Sequence, residues 1–369
     1  MSHRIIIFSF IAILTIPSIA WTFVDDDRKG EITENRILKS MPVLTPRTAK
    51  EFPKEFDEFY SDHLPFRNDL IRMFSIIQYK LLGCVESNRV VFGRDGWLFY
   101  QKESYFGSPM LTYKRMDRFK REELERAGSR ISTLKKTLES AGCRFVLMIA
   151  PTKENIYPEY MPAYIRRSEG KSRTEQMIEY LRGKGIEVVY PAEQVTASKN
   201  AGNLYYKYDT HWNSLGGYAA ARALLKALDR DLPNPEALGI EPKIIPGTTA
   251  KIGQGYDLAK LVGINRILVE PYSYRVSGYA EREPEKLPSS ELEDRYACKD
   301  GTGKIMMIRD SFGEEMRLPI ASRYGESMFM LYYYFKPEMA VKEKPDVFVY
   351  EVLEIFLPRI IEDNFSQRI

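Results

Sequence analysis

The sequence predicts an α/β fold with a mainly parallel sheet covered by helices on both faces, and three observations predict it. Residues 144–150 (Arg-Phe-Val-Leu-Met-Ile-Ala) and 304–308 (Lys-Ile-Met-Met-Ile) are continuous apolar runs of strand length, the pattern of a strand buried on both faces. The first follows a helical pattern over 117–141, with Leu124, Ala127, Ile131, Leu134 and Leu138 along one face, and precedes a helix over 174–182 and a strand over 186–190. Two more strands, 328–333 and 346–350, extend the alternation of strand and helix that parallel sheets require.

With 369 residues the chain can bury a substantial core, so its stability does not depend on disulfides. Lysines and arginines exceed acids by three, without a basic run or basic-aromatic interleaving, which argues against a nucleic-acid partner. The three cysteines, Cys84, Cys143 and Cys298, lack metal-ligand spacing, so no metal and no cofactor is expected, and Cys143 reads as a buried thiol.

Residues 1–24 carry Arg4 and then an almost unbroken apolar run to Phe23. This is a signal peptide ending near Ser18-Ile19-Ala20 or a single membrane anchor, and both send the rest of the chain across a membrane. Residues 25–85 form a helical region, with Phe52, Phe56, Phe59 and Tyr60 at helical spacing, expected to pack on the following domain. His63 beside Asp62 reads as structural there, since adjacent helical residues do not face each other. That domain, 86–369, opens with a β-hairpin over 90–100 around Gly93-Arg94-Asp95-Gly96. A helix over 214–228, with Ser214 as its N-cap, buries Ala219, Ala220, Leu224 and Leu225. From about 232 to 301 prolines, glycines and short β-like runs break the rhythm, which marks an insertion.

The chemistry gathers at two places. His211 is one of only three histidines, and if Asp209-Thr210-His211 is extended, the carboxylate and imidazole share a face. Ser311 stands three residues beyond the strand 304–308, at the carboxyl end where open α/β sheets collect reactive groups. The N–H groups of Ser311 and Phe312 in that turn are candidate oxyanion donors. Taken singly, an Asp-Ser pair at a strand end is commonly an N-cap, and an Asp-x-His commonly a satisfied core pair. Together they form a Ser-His-Asp set, whose order along the chain is immaterial. Tyr205, Tyr206, Tyr208 and Trp212 beside it read either as surfaces for sugar rings or as packing against the next helix.

Asp209-Thr210-His211-Trp212 followed by a helix containing Gly216-Gly217, with Arg309-Asp310-Ser311-Phe312 later, resembles the SGNH-hydrolase-like domain of the alginate O-acetylation proteins AlgX and AlgJ. So do Glu34-Asn35-Arg36, Asp62-His63-Leu64-Pro65-Phe66-Arg67, Gly93 to Phe99, Pro151-Thr152-Lys153 with Ile156-Tyr157-Pro158, and Lys344-Pro345-Asp346 with Glu351. The resemblance implies an SGNH-hydrolase-like, flavodoxin-like α/β/α sandwich, with the Asp/His motif placed ahead of the serine. It implies Asp209, His211 and Ser311 as the catalytic triad; beside them Tyr208, Trp212, Arg309 and Phe312 are candidate substrate contacts. It also implies a periplasmic or membrane-anchored protein that moves acetyl onto a polysaccharide acceptor, supplied by a multi-pass membrane O-acyltransferase. With the sequence ending at Ile369, no carbohydrate-binding module of the AlgX kind is expected. An acetyl esterase using the same three residues, and a non-catalytic scaffold of a polysaccharide export complex, stay open beside this reading.

Overall fold

The structure, a computed structural model, describes residues 2–20, 39–63, 66–102, 107–251 and 253–362. Glu34-Asn35-Arg36, Leu64-Pro65 and the expected end of the leader near residue 24 lie outside them. The chain divides into two compact units, residues 1–85 with 260–267, and residues 86–259 with 268–369.

The first unit contains helices Ser2–Ala20, Phe52–His63 and Arg67–Leu82. Helical spacing brings Phe56 to 5.8 Å from Phe52 and 6.4 Å from Tyr60, ring to ring. His63 bonds through Nδ1 to the Phe59 carbonyl, and Asp62 accepts the Lys39 N–H, so these two residues are not paired with each other. No helix among the described residues is long and apolar enough to cross a membrane, so the anchor reading of residues 1–24 gains no support here.

The second unit starts with the expected hairpin, β1 (Val90–Phe92) and β2 (Leu98–Tyr100). Its core is a seven-stranded sheet built from β3 (Arg144–Ala150), β4 (Val188–Val189), β7 (Glu285–Leu287), β8 (Glu293–Ala297), β9 (Lys304–Arg309), β10 (Glu326–Leu331) and β11 (Val347–Leu353). Their order is β4-β3-β11-β9-β10-β8-β7, parallel from β4 to β10 and antiparallel at the β8-β7 edge. A separate ribbon pairs β5 (Gly239–Pro242) with β6 (Tyr274–Ser277).

Alternation along each strand builds two cores. Val146, Met148, Ala150, Ile305, Met307, Val347 and Val349 face helix Ser214–Ala227. Phe145, Leu147, Ile149, Met306, Ile308, Phe348 and Tyr350 face helices Arg121–Ser140 and Arg173–Gly183. This is the α/β/α sandwich the sequence predicts. Each fully buried Leu, Ile or Phe contributes about 1.5–3 kcal/mol, which is why the apolar runs set the strand positions.

Four local readings change. The strand expected over 186–190 shrinks to the two residues of β4. The helix expected from 117 begins at Arg121, where Glu123 accepts the Lys120 N–H. Asn213, not Ser214, caps the next helix, its Oδ1 accepting the N–H groups of Leu215 and Gly216. Within the stretch 232–301, β7 and β8 join the main sheet.

Candidate active site

The segment carrying Asp209 and His211 is a tight loop, which corrects the extended strand expected there. Tyr205 and Trp212 form an isolated antiparallel bridge, and the Tyr206 N–H donates to the His211 carbonyl across it. Inside the loop Asp209 Oδ1 accepts the His211 N–H at 3.1 Å, the local bond by which aspartate favours turns. The same oxygen meets His211 Nδ1 at 2.7 Å. Carboxylate and imidazole are thus paired by turn chemistry, not by strand alternation.

Three supports under this loop were not legible in its own sequence. Lys153, fully buried after β3, donates through Nζ to the carbonyls of Tyr206, Lys207 and Asp209. Glu270 accepts the N–H groups of Lys207 and Tyr208, each at 2.9 Å. Asp209 Oδ2 accepts the N–H groups of Gly255 and Asp257 at 3.0 Å, which saturates the carboxylate.

The serine arrives from the other side. Ser311 follows β9 and opens the short helical turn Phe312–Met316, its side chain exposed. His211 Nε2 lies 2.9 Å from Ser311 Oγ, completing a hydrogen-bonded line from Asp209 through His211 to Ser311. Close approach of two helices makes this possible: a Cβ on Gly217 would stand 2.4 Å from the Glu315 Cβ, so only glycine fits there.

Backbone N–H groups around the serine divide in a definite way. The Phe312 N–H donates to Asp310 Oδ1 at 2.8 Å, so it is not the oxyanion donor expected from the sequence. The Asp310 N–H donates to Glu351 Oε2 at 3.0 Å. The Glu314 N–H donates to the Ser311 carbonyl. Of the two donors expected from the sequence, this leaves the Ser311 N–H.

Charges follow from these contacts. Burial works against the His211 imidazolium, but the Asp209 carboxylate and its hydrogen bond, with Asp257 and Asp310 behind, outweigh it and raise the histidine above its ordinary value. Burial likewise opposes the charge on Asp209, yet His211 and the backbone donors hold it well below the usual carboxylate range. Asp257 Oδ2 stands 3.8 Å from His211 Nδ1, a second acid facing the ring. Below the serine, burial and then the neighbouring Asp310 push Glu351 far up, toward the neutral acid.

The other residues named from sequence fall differently. Trp212 is 1% exposed and gives its Nε1–H to the Phe312 carbonyl at 2.8 Å; Phe312 is 2% exposed. Tyr205, Tyr206 and Tyr208 are buried as well. Tyr205, Trp212 and Phe312 join the core, and Tyr206 and Tyr208 are buried beside it, so the packing reading of these rings holds over sugar stacking. Arg309, also buried, donates to the Asp310 carbonyl and to Glu314. Among the described residues Asp209, His211 and Asp257 form one group of metal-ligand type, with ligand atoms within 4.8 Å. The Asp209 carboxylate, however, already accepts from His211 and three N–H groups.

Comparison with known proteins bears on the family and the fold. The family described as "SGNH hydrolase-like domain, acetyltransferase AlgX" matches residues 90–319, well over half of the chain. The probable alginate O-acetylase AlgJ of Pseudomonas aeruginosa is 24% identical over 192 residues, 51% of this chain and 46% of that protein. Its counterpart in Pseudomonas putida is 26% identical over 206 residues, 54% and 48% of the two chains. The chain thus spans about half the length of these curated relatives. Two solved structures share the fold. A DHHW family protein from Eubacterium siraeum has a TM-score of 0.51 at 15% identity, covering 75% of this chain and 98% of that one. Bacillus cereus PatB1 with a sulfonyl adduct has a TM-score of 0.50 at 10% identity, covering 75% and 97%. By the span of that family match and the fold beneath it, the chain belongs to the AlgX family of SGNH hydrolase-like domains.

Proposed function

We propose that this protein is an extracytoplasmic O-acetyltransferase that moves acetyl groups onto hydroxyls of an exopolysaccharide or cell-envelope glycan. The observation that carries the reading is the line Asp209–His211–Ser311, with contacts of 2.7 and 2.9 Å, at the carboxyl end of a parallel sheet. Family membership and the relatives named alginate O-acetylase support the acetyl group as cargo.

In this reading Ser311 Oγ attacks the acyl carbon of a donor ester while its proton passes to His211 Nε2. The negative charge on the carbonyl oxygen meets the Ser311 N–H, and Asp209 stabilises the imidazolium. As the tetrahedral centre collapses, the donor's alcohol leaves with the proton from His211, and acetyl-serine remains. A glycan hydroxyl then gives its proton to His211, attacks the acetyl-serine and leaves as the acetyl ester, while Ser311 recovers its proton. The apolar run of residues 5–23 supports export, and a multi-pass membrane acyltransferase is the proposed source of acetyl.

The test is intact-mass analysis of the purified protein mixed with an activated phenyl acetate. The expected result is a single acetyl adduct and steady ester turnover, both lost in Ser311→Ala and reduced at least 100-fold in His211→Ala. A parent protein that neither acquires the adduct nor turns the ester over contradicts the assignment. Addition of candidate oligosaccharides then separates transfer from hydrolysis, which is how an esterase would reveal itself.

A further inference from the structure

Beside the serine turn lies a cleft of about 780 Å³, with hairpin residues 286–294 on one side and Arg309, Phe329 and Leu331 on the other. Its position follows from the sheet. β8 runs antiparallel to β10 with Glu293 opposite Met330, so the loop joining β7 to β8 rises past the carboxyl ends of β10 and β9. Ser311 stands past the same edge, two residues beyond Arg309. Ion pairs fix the loop to the serine turn: Arg317 joins Asp294 to Glu314, and Glu314 also holds Arg309. Arg309 is 6% exposed, and its Nε makes no hydrogen bond, a buried donor left over on a wall of the cleft.

We propose that this cleft binds the acceptor glycan, and that the glycan is a neutral chain and not a polyuronate. This rests on the O-acetyltransferase reading above. The volume falls in the range that encloses drug-sized ligands, enough for a run of sugar rings and more than an acetyl group needs. Leu287, Pro288 and Leu292 offer apolar surface for the C–H face of a ring, while Ser289 and Ser290 offer hydroxyls to its rim. Charge decides the class. Of the lining bases, Lys286 is paired with Asp294 and Arg309 with Glu314, and the lining acids outnumber the bases. Both lining bases are thus already neutralised, which leaves the carboxylates of an anionic chain uncompensated in the cleft.

Equilibrium titration of the full-length Ser311→Ala protein tests this without requiring turnover, so its outcome stands apart from that of the acyl-serine experiment. The probes are β-1,4-linked tetrasaccharides of glucose and of mannose, and a tetrasaccharide of mannuronate. At least one neutral probe is expected to bind ten times or more tighter than the uronate. Adding Ser289→Trp, which fills the cleft, weakens it at least tenfold; Leu292→Asp, on the same rim, serves if the first variant does not fold. Absence of binding by both neutral probes, equal or tighter binding of the uronate, or affinity insensitive to the rim substitution overturns the proposal.

Discussion

The Lys153 ammonium donates to the carbonyl oxygen of Asp209, so the residue whose carboxylate holds His211 is itself held through its backbone from another element. Burial lowers this lysine to about 8 from 10.5, with Glu154, Asp209 and Glu270 opposing the shift. Because its folded pKa lies below the unfolded one, the unfolded chain binds more protons between those values, and stability rises with pH across that window. Lys153→Met is expected to flatten that rise in urea melts. By leaving three carbonyls of the 206–209 loop without their donor, it is also expected to lower ester turnover roughly 100-fold, the cost of displacing a reacting group by about 1 Å.

Asp257 faces His211 without being needed for the line to Ser311. Its charge helps raise the imidazole, and only the neutral imidazole can take the serine proton, so kcat/KM falls as pH drops through the raised value. Removing the charge lowers that value. In Asp257→Asn the acid limb of the pH–rate profile is expected to move to lower pH by up to about one unit, with the plateau reduced less than tenfold. An unmoved limb would show that Asp257 does not act on the ring.

Glu351 receives the Asp310 N–H through Oε2, and its Oε1 has no hydrogen-bond partner. Burial and the adjacent Asp310 favour its neutral form. Glutamine has nearly the shape of a neutral acid and keeps one acceptor oxygen. Glu351→Gln is therefore expected to stay within about threefold of the parent in kcat, whereas Glu351→Leu, which strands the buried Asp310 N–H at about 1–3 kcal/mol, loses roughly tenfold or more. Stopped-flow acylation of Ser311 measures both. A Gln variant as impaired as the Leu variant would mean that the ionised carboxylate is required.

Trp212 ties the histidine loop to the serine turn through its indole N–H and the Phe312 carbonyl. Trp212→Phe keeps an aromatic ring in the core and deletes that bond. It is expected to cost about 1–3 kcal/mol in thermal or urea unfolding, and to slow acylation more than it weakens acceptor binding.

Much of this was legible because buried strands in a parallel sheet are written as unbroken apolar runs. β3, β9 and β11 lie where residues such as Val146, Met307 and Val349 place them. The juxtaposition of Asp209, His211 and Ser311 was also readable, from residue type and from the strand end before the serine. The loop geometry was not, because an aspartate that bonds its own chain two residues on competes with extended structure, and the pattern does not say which wins. Lys153, Glu270 and Asp257 escaped because their role lies in backbone groups about 50 residues away. β7 and β8 escaped because short, charged strands, β7 at the sheet edge and Glu293-Asp294-Arg295 of β8 beside it, carry little periodicity.

Along the chain β3 comes first and β11 is the last described strand, yet β11 lies between β3 and β9. Until residues 347–353 have been made, β3 and β9 have no shared neighbour, and the Asp310 N–H that Glu351 accepts has no acceptor there. The nucleophile is therefore armed by the insertion of β11 between two strands made before it, a long-range pairing of the slow-forming kind. A nascent or stalled chain ending before Val347 carries Asp209, His211 and Ser311 but is expected to be inert toward esters, and pulse-labelled hydrogen exchange should show β9 and β11 gaining protection together. Such an order of assembly keeps a reactive serine silent during the interval in which the chain is still unfolded.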